Sequence, residues 1–276
     1  VTMCDRCLGR ILDKMDQYNL WEDTLLIVNT DHGFFLGEHD WWAKSGYVLN
    51  LEEVAHTPCF VYDPVSKATG HRQALTQTID YAPTVLDFCG LPIPKDMNGK
   101  SLLPAVRENQ PVHDTIIYGA FGAQITVTDG RYKYILSPKE DNWPLYNYTL
   151  MPTHMRARFH PDELQEIELS EPFSFTKGVR LLKIPDKNYF GGNVPVGNKM
   201  GHPELETVLP HAHTPKGWKT ELFDLENDPH EMHPIEDADV IRRLRLEMVK
   251  RMMENDAPVE QYTRMGLEKE WEEVRS

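Results

Sequence analysis

Near the start of the chain an uncharged, β-rich run, Thr24-Leu25-Leu26-Ile27-Val28, stops at Asn29-Thr30-Asp31-His32-Gly33. An apolar run of this kind without polar alternation fits a strand buried on both faces, as in a parallel sheet covered by helices. Ahead of it Leu8, Ile11, Leu12 and Met15 recur at helical spacing, predicting an amphipathic helix from about Met3 to Tyr18. Behind it Cys59-Phe60-Val61-Tyr62 forms a second short run between Pro58 and Asp63-Pro64. Ile79, Ala82, Leu86 and Cys89 then predict another helix, with Pro83 near its first turn and Gly90 as its stop. This alternation predicts an α/β fold with a mostly parallel main sheet flanked by helices.

The pattern changes from about Ile116. Ile125-Thr126-Val127-Thr128 and Tyr132-Lys133-Tyr134-Ile135 flank Asp129-Gly130, which is a hairpin signal. Ser137 to Trp218 is rich in Pro, Gly, Asn and His with little periodicity, predicting long loops with short pieces of structure. Glu221-Leu222-Phe223-Asp224-Leu225 reads as a strand, and Ile241, Leu244, Met248 and Met252 predict a closing amphipathic helix. A smaller antiparallel C-terminal sheet packed with a helix is therefore expected.

Charge narrows the function classes. The 43 acidic and 29 basic residues leave a formal charge of −14, which disfavours nucleic acid and anionic membranes as partners. No apolar run approaches the roughly 20 residues that span a bilayer. Cys4, Cys7, Cys59 and Cys89 are too few and too embedded in apolar patterns for a disulfide scaffold, so reduced thiols are expected, which favour a soluble, cytoplasmic setting while leaving the compartment open. Val1 leads almost directly into the helical pattern, without an initiator Met or signal peptide, so the chain reads as cut from something longer.

Chemistry concentrates at Asn29-Thr30-Asp31-His32-Gly33. Ligands gather at the carboxyl ends of strands in open α/β sheets. Gly33 allows a tight turn that brings the Asp31 carboxylate and the His32 imidazole to one centre, and this oxygen and nitrogen pair suits a divalent cation. Two ligands are not a full site. Downstream, Leu36-Gly37-Glu38-His39-Asp40-Trp41-Trp42-Ala43-Lys44 brings a lysine within a short loop of that centre. An ammonium group beside a metal is unfavourable unless an anion lies between them, so Lys44 points to an oxyanion substrate such as sulfate or phosphate.

"TDHGFFLGEHDWWAK" followed by "EEVAHTPCFVYDP" resembles the sulfatase family of the alkaline phosphatase superfamily. "CLGRILDKMDQYNLWEDTLLIVNTDHG", "TQTIDYAPTVLDFCGLPIP", "NGKSLLPAV", "TDGRYKYI" and "ELFDLENDPHE" resemble further segments of that family in the family's order. The resemblance implies an alkaline-phosphatase-like α/β fold. Residues 1–112 would be the C-terminal part of the catalytic domain, and 113–276 a small C-terminal subdomain with long loops. It implies Asp31 and His32 as metal ligands, usually for Ca2+ with Mg2+ or Mn2+ as alternatives, and Lys44 as the catalytic contact to sulfate. The implied activity is that of a sulfuric ester hydrolase on a small-molecule or carbohydrate sulfate ester. Phosphonate monoester and phosphodiester hydrolases share this half of the site, and an inactive fragment or binding module on the same fold is a further alternative.

The family's Cys/Ser-x-Pro-x-Arg nucleophile, converted to formylglycine, has no match here, because Ser170-Glu171-Pro172-Phe173-Ser174 lacks the Arg. That nucleophile and the remaining acidic ligands are expected from an N-terminal segment or a partner. Other histidines and cysteines have plainer readings. His39 and His56 are expected to be structural, and Cys4-Asp5-Arg6-Cys7 to be helix packing. His230-Glu231-Met232-His233 has the wrong spacing for a zinc-protease motif, and His211 and His213 are surface-loop residues by default.

Overall fold

The computed structural model describes residues 1–44, 50–151, 153, 158–159, 161–186 and 218–276. In chain order, α1 (Thr2–Gln17) and β1 (Leu26–Asn29) precede a short hairpin of β2 (Phe35–Leu36) and β3 (Trp42–Ala43). The one-turn helix α2 (Glu52–Ala55), β4 (Cys59–Tyr62), α3 (Tyr81–Phe88) and α4 (Leu103–Glu108) follow. Next come β5 (Ile116–Gly119), β6 (Ile125–Thr128), β7 (Tyr132–Leu136) and β8 (Tyr146–Thr149). The rest is α5 (Pro161–Leu164), β9 (Glu168–Leu169), β10 (Leu182–Pro185), β11 (Glu221–Asp224), α6 (Ala238–Glu254), α7 (Val259–Met265) and α8 (Glu268–Arg275).

The chain divides into two compact units, residues 1–31 with 57–114 and residues 32–56 with 115–276.

In the first unit β1 and β4 pair antiparallel, with Leu26 opposite Tyr62 and Asn29 opposite Cys59. Every strand pairing among the described residues is antiparallel, so the parallel neighbours expected for these two apolar runs are not found there. A sheet of only two strands cannot bury its own faces. Accordingly β1 and β4 are half-buried or exposed, although their composition is that of interior strands. α3 begins on a 3₁₀ turn organised by buried Asp80, whose carboxylate accepts from the Gln77 and Lys100 backbone amides and lies 3.0 Å from His113 Nε2. Gly90 ends it with a left-handed φ of 66°, the role its position predicts.

The second unit is built on the antiparallel sheet β11-β7-β6-β5, with the Asp129-Gly130 turn linking β6 to β7. Strand alternation sends Val127, Tyr134 and Leu136 to one face, where they form a single core with Leu244, Met248 and Met252 of α6 and with Tyr262, Met265 and Leu267. Asp237 caps α6 by accepting from the Asp239 and Val240 amides. The aperiodic stretch after Ser137 contributes a second antiparallel sheet, β8-β10-β9.

Candidate functional site

In the second unit, His32 opens a segment whose backbone is laid against α2. The Gly33 amide donates to Val54 O at 2.8 Å and the Phe34 amide to Glu53 O at 3.2 Å. A Cβ on Gly33 would stand 1.8 Å from Glu53 O. Gly33 has no left-handed φ, so the glycine serves this close approach rather than the tight turn expected of it. Phe35 and Val54 are buried beside it, fixing the start of the hairpin.

Lys44 lies just beyond β3, exposed, with its Nζ 2.7 Å from His32 Nε2. An ammonium group can only donate, so Nε2 accepts and the ring proton sits on Nδ1, which is 2.8 Å from Gly33 O and donates to it. A histidine held by a backbone carbonyl through one nitrogen, with a lone pair on the other, is the arrangement usual for a metal-binding imidazole. The backbone leading to Lys44 is strained: His39, Asp40 and Ala43 have φ of 52°, 59° and 77°. Asp31 is exposed and is the last residue of the first unit, with its Oδ1 3.4 Å from Thr30 Oγ1. Among the described residues no group of three or more His, Cys, Asp or Glu side chains could by itself hold a metal ion. The donor chemistry of Asp31 and His32 fits a divalent cation, but only as part of a larger ligand set.

Beneath α2 lies a charged cluster that sequence reasoning missed. Lys133, on β7, is fully buried, and its Nζ is 2.9 Å from Glu52 Oε1 and 2.7 Å from Glu231 Oε1. Glu231 also accepts from the Glu52 amide at 2.6 Å, and Tyr118 on β5 donates to Asn50 O at 3.3 Å. Burial alone would push the Lys133 ammonium down, but Tyr118, Glu231 and Glu52 outweigh it and hold it up. Burial raises the Glu52 carboxyl, yet hydrogen bonds from His56 and Lys133 overcome that and hold it at about 2. Burial dominates at Glu231 and raises it despite Lys133. The sequence signal was a lysine in the middle of an aromatic strand, Tyr132-Lys133-Tyr134, where alternation sends it to the face opposite the core.

Glu231 belongs to the His230-Glu231-Met232-His233 stretch, which is not helical and serves this cluster instead. His39 Nε2 is 3.5 Å from Glu53, and His56 Nδ1 is 2.7 Å from Glu52. Cys4 and Cys7 are free and exposed on α1 rather than packed, because the buried stripe of that helix runs through Met15. Cys59 and Cys89 are also free thiols. His211 and His213 lie outside the described residues. No helix among the described residues is long and apolar enough to cross a membrane.

The C-terminal family of N-sulphoglucosamine sulphohydrolase matches residues 37–172. An N-acetylglucosamine-6-O-sulfatase of Bacteroides thetaiotaomicron is 36% identical over 111 residues, covering 40% of this chain and 19% of its own length. Human arylsulfatase K is 27% identical over 181 residues, covering 61% of this chain and 32% of its own. A solved structure in complex with its substrate D-glucosamine-2-N,6-O-disulfate is similar with a TM-score of 0.56 at 18% identity, over 93% of this chain and 39% of that one. At that identity the likeness shows the fold alone, the α/β fold of the sulfatases. The chain spans well under half the length of the curated relatives it matches.

Proposed function

We propose that this chain, which belongs to the sulfatase family of the alkaline phosphatase superfamily and carries a C-terminal portion of it, serves the hydrolysis of sulfate esters in the full-length protein. The observation that carries this reading is Lys44 Nζ at 2.7 Å from His32 Nε2, beside Asp31 in the chain. Asp31 and His32 would hold a divalent cation, Ca2+ by family resemblance with Mg2+ or Mn2+ as alternatives. When bound, the cation supplies electrostatic stabilisation to the sulfate oxygens. Lys44 then leaves the imidazole, binds a sulfate oxygen and offsets the charge that develops as the ester bond breaks. His32 keeps its tautomer through Gly33 O, so that Nε2 is the nitrogen that would serve as a metal ligand. The nucleophile and the other ligands, with the parallel part of the main sheet, come from residues outside this chain. By the same reading, residues 1–112 complete that catalytic domain and 113–276 form the subdomain beside it.

The substrate class is a carbohydrate sulfate ester, an inference supported by the amino-sugar sulfates named for two of the relatives. The test uses the full-length protein, with its metal content and its turnover of an aryl sulfate as readouts. Asp31→Ala is expected to remove metal and activity together, the latter by several kcal/mol of barrier. Lys44→Ala is expected to lower turnover with the metal retained. If Asp31→Ala leaves both metal and rate intact, the assignment is wrong. Faster turnover of a phosphonate monoester or a phosphodiester than of any sulfate ester would replace the sulfatase reading with its superfamily rival.

A further inference from the structure

A lysine with no solvent exposure, bracketed by two glutamates, is an expensive way to join a strand to a one-turn helix. Burying Lys133 and Glu231, with Glu52 half-buried beside them, costs more than a hydrophobic contact of the same volume would, so such a cluster stabilises poorly for what it encloses. What it does provide is a fixed position. Lys133 meets Glu52, the first residue of α2, while Glu231 accepts the amide of that same residue. Glu231 itself holds a left-handed φ of 51°, a costly conformation for a glutamate and one that turns its carboxylate onto both partners. The next two residues of α2, Glu53 and Val54, receive the amides of Phe34 and Gly33. Gly33 in turn receives the Nδ1 proton of His32, whose other nitrogen meets Lys44. An unbroken series of hydrogen bonds thus runs from a buried cation on β7 to the exposed pair, within one compact unit.

We propose that Lys133 is a positioning residue for the His32–Lys44 pair, acting through Glu52 and the α2 backbone that carries Gly33 and Phe34. The inference rests on the reading of His32 and Lys44 as site residues, but its first test does not need activity. In the full-length protein, Lys133→Met is expected to speed deuterium exchange at the Gly33 and Phe34 amides by about tenfold more than at the β6 and α6 amides, which report the global loss of stability. Turnover of an aryl sulfate is expected to fall by about tenfold through kcat, with KM held. In a His32→Ala background the same substitution is expected to add less than about twofold, because the imidazole through which it acts is gone.

A lysine that merely stabilised the fold would multiply its effect with that of His32→Ala, and that result overturns the proposal. Unchanged exchange at Gly33 and Phe34 overturns it equally. Should Lys133→Met fail to fold, Lys133→Met/Glu52→Gln removes one buried charge of each sign and is held to the same outcomes. An unsubstituted protein that turns over no sulfate ester would sink the sulfatase reading and leave the exchange result to decide this one.

Discussion

Lys44 and Lys133 are the same side chain in opposite circumstances. Lys133 is sealed between two carboxylates and an aromatic ring, its ammonium 5.8 Å from the Tyr118 centroid, and its charge is spent inside the protein. Lys44 is exposed, and among the described residues its Nζ meets the lone pair of an imidazole, a neutral partner. A buried cation with paired anions is a structural element. An exposed cation resting on a neutral nitrogen can be transferred to an arriving anion at little electrostatic cost. The difference teaches that position in the sequence does not separate a lysine whose charge is used inside the fold from one free to meet an anion, whereas the charge of its partner does.

The largest effect expected from this contrast is on stability. Lys133→Met should cost about 3–5 kcal/mol, because buried Glu231 and half-buried Glu52 are left without their cation. Lys44→Ala should stay within about 0.5 kcal/mol of the unsubstituted protein, as surface changes do. Urea unfolding of both variants checks the pair, and a Lys44→Ala loss as large as that of Lys133→Met would break the contrast. The next effect is the mirror image, in turnover. Lys44→Ala should lower kcat by about 10²–10³-fold if its charge meets the reacting sulfate, the range seen when one stabilising donor is removed.

What the sequence disclosed follows the same line. Leu244, Met248 and Met252 announced α6 by their spacing, and Asp129-Gly130 announced the β6–β7 hairpin, because both signals are local. Gly33 was legible as a constrained position, but its reason was not: the carbonyl it makes room for belongs to Glu53, and only the fold brings the two together. The partners of Lys133 lie at positions 52 and 231, so no window of the sequence holds the cluster. The strand Leu26–Asn29 was read correctly as apolar, yet its pairing with Cys59–Tyr62 is antiparallel. Composition reports how buried a strand is meant to be, and it does not report the direction of its neighbour.

A smaller effect comes from acid. Glu52 is held at about 2 in the folded protein against 4.5 unperturbed. Its contribution is present above about 4.5 and is lost as pH falls through the interval below it. Glu231 is raised, so it acts in the opposite sense: its contribution is present in acid and is lost as pH rises through its folded value. Unfolding midpoints measured between pH 5 and pH 2 should therefore decline, with Glu52→Gln flattening the decline. His56 is raised by its hydrogen bond to Glu52, so its share is complete below about 6.5 and fades as pH rises through its folded value. With 78% of that side chain exposed, screening keeps the alkaline change small. An acid limb that Glu52→Gln leaves untouched would show that the buried cluster does not govern it.

The smallest effect sharpens the exposed half of the contrast. Ala43 pairs with Phe35 across the hairpin and carries a φ of 77° immediately before Lys44. A left-handed alanine costs roughly 1–2 kcal/mol in Cβ crowding, which a glycine would not incur. Glycine would also loosen the unfolded chain, at a cost of roughly 0.5–1 kcal/mol. Ala43→Gly should therefore raise stability by no more than about 1.5 kcal/mol, read as a slight upward shift of Tm with kcat preserved. If kcat falls instead while Tm rises, the strain at Ala43 aims the ammonium of Lys44, and the exposed lysine is positioned from its own strand as well as from the imidazole it touches.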